Sequence, residues 1–283
     1  MPTINTNVAA IKARSNLERV QRDMDTSIAR LSSGKRITRA HDDAAGSAIS
    51  GRMESQIRGL NMAIRSAKDG QSLVDTQEGA LQEVTAILQR MRELAVQSGS
   101  GAITNTDRGY LDTEMENLVD EIAAISANTK FNDTAVLTGT QFKFYTDIDV
   151  AGTAITTVAA NVAISGLGSF TATGGVHGLK KTRTDVTSIS AVPKVISNVD
   201  MAIASVASMR ANLGAVSNRF DHIIDNLTNV VANTESAKSR VEDADFATET
   251  TQLTRNTVLQ QAATSMVAQA NASKNTILAL IQG

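Results

Sequence analysis

"ISGRMESQIRGLNMAIRSAKDGQSLVDTQEGALQEVTAILQRMRELAVQS" (residues 49–98) decides the fold. Its apolar residues fall at Ile49, Met53, Ile57, Leu60, Ile64 and Ala67, then at Val74, Leu81, Val84, Leu88, Met91 and Ala95. Steps of three, four and seven put them on one stripe of an α-helix, and a stripe sustained this long marks a packed helix or coiled coil. Upstream, Leu17, Val20, Met24, Ile28 and Leu31 show the same period. Downstream, "SGSGAITNTDRG" (98–109) breaks the stripe with three glycines, and Asn105 to Asp107 suit a cap for the helix that Leu111, Met115, Leu118, Ile122 and Ile125 resume. Helix returns at Pro193, a good first-turn residue, through Ile196, Val199, Ile203, Val206, Leu213, Val216, Phe220, Ile223, Leu227 and Val230. Leu259, Ala263, Met266, Ala270, Ile277 and Leu280 carry the last stripe.

Composition changes from residue 128. "GTQFKFYTDIDVAGTAITTVAANVAISGLGSFTATGGV" is rich in Thr, Val, Ile and Gly, with alternation at Phe142 and Phe144 and again at Ile148 and Val150. That pattern predicts a few short strands in an exposed insertion. The expected fold is mainly α: a long antiparallel helical coiled-coil bundle formed by the N- and C-terminal segments, with a small β-rich central insertion. Helices of about 30 residues at the two ends would each run about 45 Å. Their stripes are narrow and rich in Ala and Ser, and only 3% of the chain is aromatic. A lone pair of such helices buries too little to offset chain entropy, so other copies must supply the rest. This points to a self-assembling rod or filament.

Other functions are excluded by what is missing. A net charge of −2 argues against nucleic acid as a partner. The absence of cysteine removes disulfides, thiolate metal sites and Cys nucleophiles. No window approaches 18 consecutive apolar residues, so no membrane insertion is expected. "MPTINTNVAAIKARSNLERV" lacks the apolar core of a secretory signal, and a cleaved signal peptide is not expected. There is no G-x-S-x-G, G-x-G-x-x-G or H-E-x-x-H; neither a cofactor nor enzymatic activity is expected. "KKTR" (180–183) and the acid pair Asp120–Glu121 read as solvated surface.

"LSSGKRITRAHDDAAG" (31–46) gathers three cations, a histidine and two acids. As a phosphate loop it fails twice, because Ala29 stands where the first glycine is required and Arg36 where Ser or Thr is. As a metal site it offers one histidine, and His177 and His222 lie in other segments. It reads instead as a charged joint. Asp42 and Asp43 cap the helix from Ala44, and "VEDAD" (241–245) does the same before the last helix. If the terminal helices pack side by side and antiparallel, Lys35, Arg36 and Arg39 face Glu242, Asp243 and Asp245, while Lys238 and Arg240 face Asp42 and Asp43.

"INTNVAA" (4–10), residues 31–53, "EGALQEVTAILQRMRELAVQS" (78–98), "LGAVSNRFDHIIDNL" (213–227), "SRVEDADFATE" (239–249) and "VLQQAATSMVAQAN" (258–271) resemble bacterial flagellin, the flagellar filament subunit. The likeness covers roughly residues 1–140 and 192–283; the middle follows no one flagellin. It implies an extracellular helical filament built for motility, exported through the flagellum's own type III pathway without a cleaved signal. The implied partners are further copies of the chain, an export chaperone, the filament cap, hook-junction proteins and a vertebrate flagellin receptor. The nearest alternative is a hook–filament junction protein of the same superfamily, against which "NRFDHIIDNL…SRVEDADFATE" weighs. A chemoreceptor-type signalling coiled coil would need a sensory or membrane-linked N-terminus.

On this reading residues 1–34 with 247–283 are terminal helices of the inner filament core, and 35–43 with 236–246 are charged linkers. Residues 44–140 with 191–235 form a helical rod domain, and 141–190 a variable surface insertion. Self-assembly is expected to use Leu17, Met24, Ile28, Leu31, Leu259, Met266, Ile277 and Leu280. By resemblance, receptor recognition carries over to Gln89, Arg90, Glu93 and Leu94 and, on the neighbouring helix, Glu114.

Overall fold

The computed structural model describes residues 7–146, 154–156 and 184–282, with side chains for 7–146 and 184–272. Five helices dominate: α1 (Val8–Ser33), α2 (Ala44–Ser98), α3 (Asn105–Asn128), α4 (Val192–Glu242) and α5 (Phe246–Gln282). Among the described residues four short strands, β1 (Lys130–Phe131), β2 (Thr134–Ala135), β3 (Lys143–Tyr145) and β4 (Ala154–Thr156), lie between α3 and α4. The strands pair antiparallel in two separate hairpins, β1 with β2 and β3 with β4. The fold is therefore mainly helical with a small β-rich insertion, most of which falls outside the described residues.

The chain divides into two compact units, residues 1–57 with 232–283 and residues 58–231. In the larger unit, Leu81, Val84, Leu88 and Met91 of α2, Met115, Val119 and Ile122 of α3, and Val195, Val199, Val206, Leu213 and Phe220 of α4 are buried in one core. The spacings of three, four and seven are those of a left-handed helical bundle. Removing each such side chain from water stabilises the fold by roughly 1.5–3 kcal/mol. Ion pairs fix the register: Glu78 meets Arg210 at 2.6 Å and Arg92 meets Asp200 at 2.7 Å, so α2 and α4 run antiparallel. Gly70 leaves room for the ring of Phe220, which a Cβ there would approach to 2.6 Å. Phe144 of β3 packs edge-on against that ring with centroids 5.9 Å apart.

The caps differ slightly from expectation. Thr104, one residue earlier than the expected Asn105, caps α3 in a reciprocal capping box with Asp107. Arg108 is buried and closes the other side of this turn, its Nε donating to the Ser98 carbonyl at 2.9 Å and an Nη to the Ser100 carbonyl at 3.0 Å. A guanidinium there also meets the negative end of the α2 dipole.

In the smaller unit α1 packs along α5. The Asn7 amide donates to the Ala270 carbonyl at 3.0 Å and Arg30 pairs with Glu249 at 2.9 Å, so the two helices are antiparallel. The facing residues are at least half-buried in strict heptads: Ala10, Ala13, Leu17, Val20, Met24, Ser27 and Leu31 on α1, and Leu253, Asn256, Gln260, Ala263, Val267 and Ala270 on α5. Alanines, Asn and Gln make this a thin seam. α1 ends at Gly34, whose φ of 70° closes the helix with an N–H donated to the Arg30 carbonyl.

Candidate functional site

The turn after α1 brings residues 34–36 beside residues 241–244. Lys35 and Asp243 form an antiparallel bridge, the Arg36 N–H donates to the Glu242 carbonyl at 2.7 Å, and the Ala244 N–H donates to the Gly34 carbonyl at 3.0 Å. Extended residues on both sides make this possible, because each helix has stopped: α1 at glycine, α4 at the run "EDAD".

Glu242 is the centre of the joint. The residue is 8% exposed, and its carboxylate pairs with Lys35 and accepts from the Ser50 hydroxyl of α2 at 2.5 Å. Lys238, one turn back on α4, lies 4.0 Å away and pairs with Glu54 of α2. The hydrogen bonds from Lys35 and Ser50 hold the Glu242 carboxyl below the usual carboxylate range, and Glu242 in turn raises Lys35.

The expected pairing is thus corrected in detail. Of the three cations, Lys35 reaches an acid of the opposite linker. Arg36 donates to the Val241 carbonyl at 2.6 Å and lies 3.5 Å from Asp43, and the backbone N–H of Arg39 donates to Asp42 at 2.9 Å. Lys238 and Arg240 do not meet Asp42 and Asp43; Arg240 donates to Ser236 instead. The two aspartates are claimed by nearer donors. Asp42 accepts from the Thr38 and Arg39 N–H groups and lies 3.1 Å from His41, and Asp43 caps α2 through the Gly46 N–H. Asp245 caps α5 through Ala247 and Thr248, and Asp243 accepts from Ser239. Local bonds cost little chain entropy, so they take precedence over cross-linker pairs. Ser50, Glu54 and the Arg30–Glu249 pair were not anticipated; the antiparallel register matches 30 with 249 once both helices are laid side by side.

The self-assembly residues divide into two sets. Leu17, Met24 and Leu31 lie in the α1–α5 seam, whereas Ile28, Leu259 and Met266 are exposed at 47%, 42% and 64%. Leu259 and Met266 flank the seam, so α5 carries an apolar stripe wider than one partner helix covers. Ile277 and Leu280 lie in α5 where side chains fall outside the described residues.

On the larger unit Arg90 donates to Glu114 at 2.8 Å and lies 3.2 Å from Glu93, with Gln89 exposed beside them. Leu94 departs from this surface group: at 1% exposure it belongs to the core cluster. Among the described residues no cluster of His, Asp and Glu is arranged to hold a metal, and no helix is long and apolar enough to cross a membrane.

The N-terminal helical region of bacterial flagellin matches residues 4–142, and its C-terminal helical region residues 196–281. Flagellin of Bacillus subtilis is 39% identical, with 99% of each chain covered. The flagellar filament core protein flaB2 of Brachyspira hyodysenteriae is 36% identical, again over 99% of each chain. A solved structure described as a flagellar hook-associated protein from Vibrio parahaemolyticus superposes with a TM-score of 0.62 over 71% of this chain and 100% of its own, at 14% identity, a likeness of fold alone.

Proposed function

The chain belongs to the bacterial flagellin family and is a structural subunit that polymerises into the flagellar filament, and from that premise we propose how its parts divide the work. The terminal helices, 1–34 with 247–283, form the inner filament core. The linkers, 35–43 with 236–246, the second of which includes the last turns of α4, join it to a rod domain of 44–140 with 191–235, and residues 141–190 are the variable insertion, held to the rod near its two ends by Phe144 and Val186.

The observation that carries this reading is the exposed flank of α5. The α1–α5 seam is thin, yet Leu259 and Met266 remain uncovered beside it. A helix with apolar residues at two heptad positions plus a flank needs more than one neighbour. Further copies of the chain supply those neighbours, which links folding of the terminal pair to polymerisation. The charged joint holds the terminal pair to α2 and α4 while this happens. The role is structural, with no catalytic step.

Export of the chain without a cleaved signal, and encounters with an export chaperone, the filament cap and hook-junction proteins, belong to the same reading. So does recognition by a vertebrate flagellin receptor through Gln89, Arg90, Glu93 and Glu114, with Leu94 acting from the core to hold α2 in place. Electron microscopy of the purified chain incubated with preformed filament seeds tests the assignment. Long filaments are expected; short caps on the seeds indicate a junction protein, and no growth removes the assembly reading.

A further inference from the structure

The chain has no cysteine and no tryptophan but nine methionines, so thioethers are its most readily oxidised side chains. Their surroundings differ. Met91 and Met115 are wholly buried, whereas Met62 of α2, Met201 of α4 and Met266 of α5 are exposed at 57%, 44% and 64%. Met266 is the one that sits on the uncovered flank of α5. Of the side chains three and four residues away, Ala262, Ala263 and Ala270 are small and Gln269 is polar. Met266 is consequently the only long apolar side chain on that flank between Leu259 and residue 272.

A long flexible side chain among alanines is shaped to enter a dry hole on another helix. We propose that Met266 is an oxidation-controlled assembly site: hydrogen peroxide converts its thioether to the sulfoxide in the free chain, and the oxidised chain no longer joins a filament. The proposal rests on the reading of the α5 flank as a surface covered by a second copy. In the step, a sulfur lone pair attacks one peroxide oxygen, the O–O bond breaks, and water leaves. Sulfur is oxidised by two electrons and the peroxide reduced by two.

The product carries a strongly polar S–O group where Ala262, Ala263 and Ala270 offer only methyl groups, leaving Gln269 as the one side chain three or four residues away with a hydrogen to donate. Burying such an acceptor without a donor opposes docking. Once a neighbour covers the flank, the sulfur is shielded from peroxide. The same residue is then labile before incorporation and inert afterwards, and methionine sulfoxide reductases reverse the change.

The full chain, untreated or treated with hydrogen peroxide, is mapped by mass spectrometry and then added to preformed seeds, with elongation followed by electron microscopy. The oxidised chain should elongate roughly tenfold more slowly or worse, as expected for one unpaired buried polar group. Whatever its own rate beside the parent, Met266→Leu should keep that rate after peroxide, while Met62→Leu with Met201→Leu should give no protection. Sulfoxide reductase should restore the oxidised parent. The proposal is overturned if Met266 in the free chain resists peroxide, if the chain bearing its sulfoxide elongates normally, or if Met266→Leu remains equally sensitive. Unoxidised Met266→Gln separates the two levels. Normal growth of that variant removes the reading of the flank itself, whereas impaired growth beside a peroxide-insensitive parent removes the oxidation step alone.

Discussion

Glu242 shows how one side chain can tie several segments together. It binds Lys35 of the first linker and Ser50 of α2, and Lys238 of its own helix stands close by. Lys35 is half exposed, so its share is screened by solvent. Glu242→Gln should lower stability by about 1–2 kcal/mol at pH 7, chiefly through the lost charge-assisted bonds. Because the folded carboxyl titrates below its unfolded value, its contribution is complete above the ordinary glutamate pKa of about 4.3 and disappears as pH falls through the folded value. Urea unfolding at pH 7 and pH 3 should therefore show the gap between parent and variant closing in acid; a gap of the same size at both would contradict the assignment. The charges of this joint were legible in the sequence, and their partners were only partly so. Asp42, Asp43 and Asp245 look the same as Glu242 in a string of letters. What separates them is whether a backbone N–H two to four residues away is free to bind them.

Turns and caps between the helices follow local chemistry that can be altered piece by piece. Asn132 and Asp133 join β1 to β2 with φ of 48° and 62°, a two-residue turn with both φ positive. Glycine occupies that conformation without the strain an aspartate meets, so Asp133→Gly should stabilise the larger unit by about 0.5–1 kcal/mol in thermal unfolding. Arg108→Ala should cost about 2–3 kcal/mol, since it frees the Ser98 and Ser100 carbonyls at the end of α2; a melting temperature equal to the parent's would show that water replaces the guanidinium without loss. The heptads made the helices visible in the sequence. They did not reveal Arg108, because a buried arginine without an acidic partner carries no pattern of its own. Nor did they place α5 correctly about its axis. Leu259 and Met266 are the largest apolar residues of its central stretch, yet Asn256, Gln260, Ala263 and Val267 face α1. Strict heptad geometry from Leu253 onward sets that rotation, and the bulkier residues are left at the flank for other neighbours.

For the molecule as a whole, the division of labour predicts which parts can be lost. Residues 147–183 should be replaceable by a short Gly-Ser linker with seeded growth unchanged, since insertions tolerate change better than cores. The replacement should not extend through residue 188. Thr184 and Val186 are buried, and the Val186 N–H donates to Asp112 of α3 at 3.0 Å, which pins the returning chain to the bundle. Composition marked the insertion but not this anchor, whose signal is a single apolar residue in a polar run. The terminal pair is the opposite case: its seam is too poor to account for two long helices alone, and polymerisation must complete it. The most direct test is seeded growth, by electron microscopy, of the chain lacking residues 250–283. The account predicts a partly helical protein whose larger unit still unfolds cooperatively and which adds nothing to the seeds. Filaments of ordinary length from the truncated chain would contradict it.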